Sequence, residues 1–259
     1  MIRCLVSCEL IEVSETISIH NNPKFKPHKE IVMKQALSVM VVLFALSATV
    51  QVQADVPAKL KSLPVVYEED FEKGAGNWQP TDAKAWKVDK VGKNKVYNQY
   101  VRRSKYNPPH RSPYNISLLK GIKVKSFVLD AKVKSTIKDY GHRDVCLFFG
   151  YQNPAHFYYV HLGKKADPHA NQIFIVNDAP RIKISTKTTT GTNWDDEWHH
   201  VRIVRDAKSG SIEVYFDDMK TPVMTATNRT FDWGQIGLGS FDDTGIWDDV
   251  VLRGEKVSK

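Results

Sequence analysis

The sequence predicts an all-β fold, a sandwich or barrel of jelly-roll size, on three observations. After residue 55 come short segments that alternate apolar and polar residues or run briefly apolar, as strands do when successive side chains point to opposite faces. Turn residues separate them, at 74–77, 107–109, 153–154, 178–180, 208–210 and 243–245. No long stretch repeats its apolar residues every 3.6 positions, so nothing reads as an amphipathic helix. About 190 residues in roughly a dozen strands exceed an immunoglobulin-type sandwich and suit a larger jelly roll.

The predicted strands begin with VVYEEDF (65–71), WKVDKV (86–91) and SFVLDAKVKS (126–135), which mix apolar and charged positions. DVCLFFGY (144–151), FYYVHL (157–162) and QIFIVND (172–178) run nearly apolar, as strands covered on both faces do. RIKIS (181–185), HHVRIVR (199–205) and SIEVYF (211–216) alternate again, followed by PVMTAT (222–227), QIGLGS (235–240) and WDDVVLR (247–253). Within EWHHVRIVRDAKSGSIEVYFDD (197–218), a turn through 206–210 would lay Val201 and Ile203 beside Ile212, Val214 and Phe216 over one core. Trp198 is expected to plug the strand end. His199 and His200, as strand neighbours, face opposite ways and do not share a metal.

Before the strands, residues 34–54 read KQALSVMVVLFALSATVQVQA. A lysine, an apolar run too short to span a bilayer comfortably and a Val-Gln-Ala site describe a signal peptide, here assigned to 33–54. The expectation is a secreted or periplasmic protein without a membrane span in its mature form. Met33 makes a natural initiator, and residues 1–32 are expected to have no folded role. Residues 55–66 read as a linker, 67–254 as one jelly-roll domain and 255–259 as a tail.

From residue 55 onward, 32 Lys and Arg face 25 Asp and Glu, a net charge of +7. Such an excess fits an acidic polysaccharide or an anionic surface as well as mere solubility. Basic residues alternate with acidic ones, and with an export signal this argues against nucleic acid as partner. Cys4 and Cys8 lie before residue 33. Cys146 is then the lone cysteine, placed by VCLFF as a buried strand residue.

Four stretches, in chain order, carry a resemblance. They are YEEDFEKGAGNW (67–78), VCLFFGYQNPAHFYYVHLG (145–163), the hairpin WHHVRIVRDAKSGSIEVYFDD (198–218) and GQIGLGSFDDTGIWDDVVLRG (234–254). Together they resemble the concanavalin A-like lectin/glucanase superfamily, particularly its laminin G-like branch. The last also resembles secreted 3-keto-disaccharide hydrolase domains. The resemblance implies a two-sheet antiparallel jelly-roll sandwich whose concave face often holds carbohydrate, and a bound structural Ca²⁺, with no organic cofactor expected.

Three groups of residues are candidates for chemistry. Glu68, Asp70 and Glu72 have the spacing of a glucanase carboxylate strand, but Glu69 sits where an apolar residue belongs, and the resemblance places the catalytic strand mid-chain. If first and last strands pair, Asp70 and Glu72 approach Asp248 and Asp249, hard oxygen ligands suited to Ca²⁺. With Val145, Leu147 and Phe149 inward, Asp144 faces out beside Tyr159 and His161, an acid, a ring and an imidazole suited to a sugar. Arg143, Gln172, Lys164, Lys165, Arg181 and the basic loop 101–111 would rim it. Three functions stay open: a carbohydrate-recognising module, a carbohydrate-active enzyme and a non-catalytic protein-interaction domain. The enzyme would be a 3-keto-glycoside hydrolase or a polysaccharide lyase using Arg143, His161 and Tyr159.

Overall fold

A computed structural model describes Leu60 and residues 62–257, so the expectations for 1–32 and for the export signal at 33–54 lie outside the described residues. The alternating segments pair into two antiparallel sheets, with strands numbered along the chain. The first, nine-stranded, runs β11 (Ser185–Thr188), β14 (Met224–Thr227), β13 (Ser211–Phe216), β12 (His199–Asp206), β6 (Val124–Ser135), β16 (Gly245–Lys256), β4 (Asn94–Gln99), β3 (Trp86–Val91). Its ninth strand, β1 (Val65–Glu69), also pairs with β16. The second, seven-stranded, runs β10 (Ile182–Lys183), β9 (Gln172–Asn177), β8 (His156–Gly163), β7 (Asp144–Asn153), β15 (Gln235–Ser240), β5 (Asn115–Leu119), β2 (Trp78–Pro80). This is the expected two-sheet sandwich.

Alternation decides which residues meet between the sheets. Leu129, Ala131, Val133, Val201, Ile203 and Val214 of the first sheet share one core with Val145, Leu147, Phe149, Tyr158, Val160 and Leu162 of the second. The predicted hairpin forms in the expected register, Val201 opposite Phe216 and Ile203 opposite Val214. His199 turns inward, stacked 4.5 Å from Phe216, while His200 turns out to Asp130. One expectation changes: Trp198 is only half-buried, and Trp194 seals the strand end instead, its indole nitrogen donating to Leu162 O at 2.8 Å. Within the stretch read as a linker, Leu60 packs under the outer face of the first sheet against Val128, Val204 and Tyr215.

On that outer face Asp130 gathers charge from two strands. Its Oδ1 accepts 2.7 Å hydrogen bonds from His200 Nε2 and Arg202 Nε, and Arg253 lies 3.5 Å from Oδ2. Burial pushes this carboxyl up, but the bonds from His200 and Arg202 together outweigh it and hold it below the usual carboxylate range. A depressed carboxyl stabilises the fold above the ordinary aspartate pKa of about 3.9 and loses that stabilisation as pH falls through its folded value. Asp130→Asn keeps an acceptor but not the charge. It should cost about 1–2 kcal/mol at pH 7 by urea denaturation, with the gap to wild type closing in acid below the aspartate range.

Strand β16 organises the middle of the first sheet. It pairs with β6 along its length, with a register shift between Asp248 and Val251 where Asp249 adopts φ 44°. On its other edge residues 245–247 pair with β4 and 250–253 with β1, so first and last strands do lie side by side. The strand therefore continues to Lys256, past the expected domain end at 254.

Candidate functional site

The outer face of the second sheet carries the residues that alternation assigned to it. Cys146 stands opposite His161, and His161 opposite Gln172; one row along, Phe148 stands opposite Tyr159, and Tyr159 opposite Phe174. The rings of that second row stack, Phe148 to Tyr159 at 5.9 Å and Tyr159 to Phe174 at 5.1 Å. Gly239 flanks the first row because nothing larger fits: a Cβ there would lie 1.9 Å from Asn115 O and 3.1 Å from the Phe148 ring.

This face is not an open trough. Tyr106, Tyr114 and Phe241 pack over it, closing a second apolar layer in which Phe148 and Tyr159 are fully buried. Burial pushes the Tyr159 phenol well above its ordinary pKa, and its oxygen accepts from Arg181 Nη1 at 2.8 Å. The Arg181 guanidinium is gripped between two rings, 4.7 Å from the centre of Phe174 and 4.3 Å from that of Phe241. Tyr114 meets Phe241 edge-on at 5.4 Å, and Arg103 lies 4.0 Å over Tyr114. The outcome is a continuous ladder, Arg103–Tyr114–Phe241–Arg181–Phe174, half-buried at Tyr114 and Arg181 and exposed at Arg103.

Beside Phe241, the middle of the ladder, lies an acidic cluster. Asp144 Oδ1 accepts from Phe241 N at 3.0 Å, and its other oxygen sits 3.3 Å from His161 Nε2. The Asp144 amide donates to Asp243 Oδ2, and the Tyr140 hydroxyl donates to both Asp243 oxygens at 2.7 and 2.8 Å. Burial first, then the Asp144 charge, pushes the Asp243 carboxyl up to about 6, and the same two causes raise Asp242.

Of the predicted ligand residues, Asp144, Tyr159, His161 and Gln172 come together on this face, all nearly or fully buried. Gln172 turns its amide nitrogen to Asp167 O at 2.9 Å. Arg143 goes the other way. It is 1% exposed and bonds Ser135 and Asp196, because neighbours along an extended chain alternate faces. The lyase trio of Arg143, His161 and Tyr159 is therefore not assembled. Asp242 and Asp243 were missed; the acidic pair in SFDDTG was the available signal, read only as a turn.

Of the acids proposed for Ca²⁺, Asp70 and Asp249 line one cavity, but among the described residues no three of the four bring their oxygens within 4.8 Å of one another. Glu72 accepts from Lys95 N at 2.6 Å, Asp248 from Asn94 Nδ2 at 2.6 Å, and Asp249 pairs with Lys132 at 2.7 Å. Asp70 instead caps the Glu72 amide at 3.1 Å. The glucanase spacing fails for the same local reason. Strand β1 ends at Glu69 and Phe71 adopts φ 53°, so Glu68, Asp70 and Glu72 share no strand face. Among the described residues, the groups whose ligand atoms lie close enough for a metal are Asp144–Cys146–His161 and Asp144–Asp242–Asp243.

No protein-family model matches the chain, and no curated protein matches it in sequence. Solved structures do. The carbohydrate-binding module CBM66 from Bacillus subtilis superposes with a TM-score of 0.50 at 15% identity, covering 69% of this chain and 96% of the module. Domain 4 of AbnA, a GH43 extracellular arabinanase from Geobacillus stearothermophilus, reaches 0.47 at 13% identity, covering 76% of this chain and 95% of that one. Peanut lectin reaches 0.48 at 13% identity, covering 76% and 100%. At such identities the likeness is one of fold alone: the described chain is a two-sheet antiparallel jelly-roll sandwich, the architecture it shares with the CBM66 module.

Proposed function

We propose that the protein recognises carbohydrate, and acidic carbohydrate in particular, at the arginine–aromatic ladder on the outer face of its second sheet. The observation that carries this reading is the half-exposed Arg181 guanidinium, held between the Phe174 and Phe241 rings and bonded among the described residues to Tyr159 alone. A guanidinium fixed in this way keeps further donors for a carboxylate or sulfate. Tyr114 beside it offers an aromatic surface for the C–H face of a sugar ring. Arg103 adds a second cation at the exposed end. The architecture shared with a carbohydrate-binding module supports the same reading. Buried Asp144, Tyr159 and His161 then serve beneath the surface, fixing Arg181 and Phe241, rather than touching sugar themselves.

Calorimetric titration of uronate-containing, sulfated and neutral oligosaccharides tests this. Arg181→Ala should weaken binding of the acidic sugars about tenfold or more, since a hydrogen bond to a charged group contributes roughly 1.5–3 kcal/mol. Affinity should fall with added salt, while the melting temperature of the variant stays close to wild type. Equal affinity of wild type and variant would remove the ladder as the site. Turnover of a 3-keto-glycoside would make the protein an enzyme, and binding to a protein ligand with no sugar affinity would make it an interaction domain.

A further inference from the structure

The imidazole of His161 is 5% exposed, yet neither ring nitrogen makes a hydrogen bond: Nε2 faces the Asp144 carboxylate at 3.3 Å and Nδ1 has no polar partner among the described residues. Buried polar groups nearly always find partners, and an unpartnered one costs about 1–3 kcal/mol. Two further ligand types surround it. A carboxylate oxygen of Asp144, the sulfur of Cys146 and a nitrogen of His161 all lie within 4.8 Å of one another. In detail, His161 Nε2 is 3.3 Å from Asp144 Oδ2, and Cys146 Sγ is 3.9 Å from Asp144 Oδ1. Tetrahedral Zn²⁺, with bonds of roughly 2.0–2.3 Å, places N···O edges at about 3.3 Å and S···O edges at about 3.6 Å. The two distances run to different oxygens of Asp144: the first edge is already present, and closing the second on the same oxygen takes a turn of the carboxylate.

We propose that Asp144, Cys146 and His161 form a Zn²⁺ site built into the outer face of the second sheet. The sheet itself supplies the geometry. Cys146 and His161 are cross-strand partners on β7 and β8, and Asp144 is the next residue of β7 on the same face. The surroundings orient the ligands, as metal sites require. The Phe241 amide holds Asp144 Oδ1, and the Phe241 ring lies nearly parallel to the imidazole, 5.8 Å away at 6°. Asp242 has a carboxylate oxygen within 4.8 Å of one on Asp144.

A sulfur and an imidazole select a borderline-soft cation over Ca²⁺. The all-oxygen alternative is weaker, because Asp243 already accepts from Tyr140, Arg102 and the Asp144 amide. Binding exchanges the thiol hydrogen for the metal: the Cys146 S–H bond breaks, an S–Zn bond forms and one proton passes to solvent. This site goes beyond the carbohydrate reading and does not depend on it.

The test uses the full chain, stripped with chelator and dialysed against Zn²⁺, Co²⁺ or Ca²⁺ without sugar. One Zn²⁺ per chain should bind. At about a hundredfold excess over its Kd, Zn²⁺ should raise the melting temperature by roughly 5–10 °C. Co²⁺ should give the near-ultraviolet absorption of a thiolate-to-metal transition, lost in Cys146→Ala, a substitution that keeps the site small and apolar. His161→Gln should lose most Zn²⁺ affinity while melting, when metal-free, close to metal-free wild type. No stoichiometric Zn²⁺ uptake would overturn the proposal, as would Zn²⁺ affinity unchanged in both variants. Stabilisation by Ca²⁺ with no Co²⁺–thiolate absorption would overturn it in favour of the aspartate trio. Loss of sugar binding in Arg181→Ala leaves every one of these readouts unaffected, so the two proposals fail separately.

Discussion

Replacing Trp194 with alanine should lower stability by about 3–5 kcal/mol and the melting temperature by roughly 6–20 °C. The indole is 1% exposed and closes the end of the sandwich where β12 begins. Its edge meets His199 at 5.1 Å and Phe216 at 4.9 Å, nearly perpendicular to both rings. Its nitrogen is the donor to Leu162 O, so alanine would leave a cavity and an unpaired carbonyl together. Trp194→Phe separates the two losses. It retains most of the ring volume, and its smaller cost, about 1–3 kcal/mol, reports chiefly the missing hydrogen bond. Urea denaturation of both variants checks this, and equal losses would show that packing contributes little beyond the bond.

The second large effect is expected at Arg205, an arginine on the core-facing side of β12. Val201, Ile203 and Arg205 occupy alternate positions of that strand, and Arg205 is 2% exposed. Its guanidinium lies 5.4 Å over the Tyr158 ring and donates to Gly210 O at 2.7 Å and to Phe231 O at 3.2 Å. Tyr158 itself bonds Asn228 and the Phe231 amide. One planar cation thus ties the 206–210 turn to the 228–231 loop. Arg205→Met keeps the apolar stem but strands both carbonyls, a loss of about 2–4 kcal/mol. Arg205→Lys should recover little, because a compact ammonium does not reproduce two donors in a fixed fork. Recovery to within 1 kcal/mol of wild type in Lys, read from denaturant midpoints, would show that charge alone is needed.

What was legible in the sequence was local. The period-two segments gave the strands that carry the site, the inward and outward faces of β7 and β8, and the 206–210 hairpin. Strands with mixed composition escaped. NKVYNQ and NISLL became β4 and β5, although neither alternates cleanly. Asn115 reads as part of a glycosylation sequon, yet it is fully buried with its amide donating to Arg102 O and Ser240 Oγ. The candidate site was half-legible for the same reason. Alternation grouped Asp144, Tyr159 and His161, but the cover over them comes from Tyr106, Tyr114 and Phe241, far away along the chain. The acidic quartet was brought together only in part, at Asp70 and Asp249. A left-handed residue at Phe71 and the register shift after Asp248 redirect side chains that ideal strands would have brought together.

The central position of β16 bears on how the protein is made. This strand holds β6 on one edge and both β1 and β4 on the other, yet it is the last of the described strands to leave the ribosome. Until residues 245–256 emerge, β6 has its β12 neighbour but a bare second edge, and β1 has nothing to pair with. The first sheet therefore closes only after synthesis of the domain is essentially complete. During elongation the nascent chain carries unpaired strand edges that need shielding from other chains.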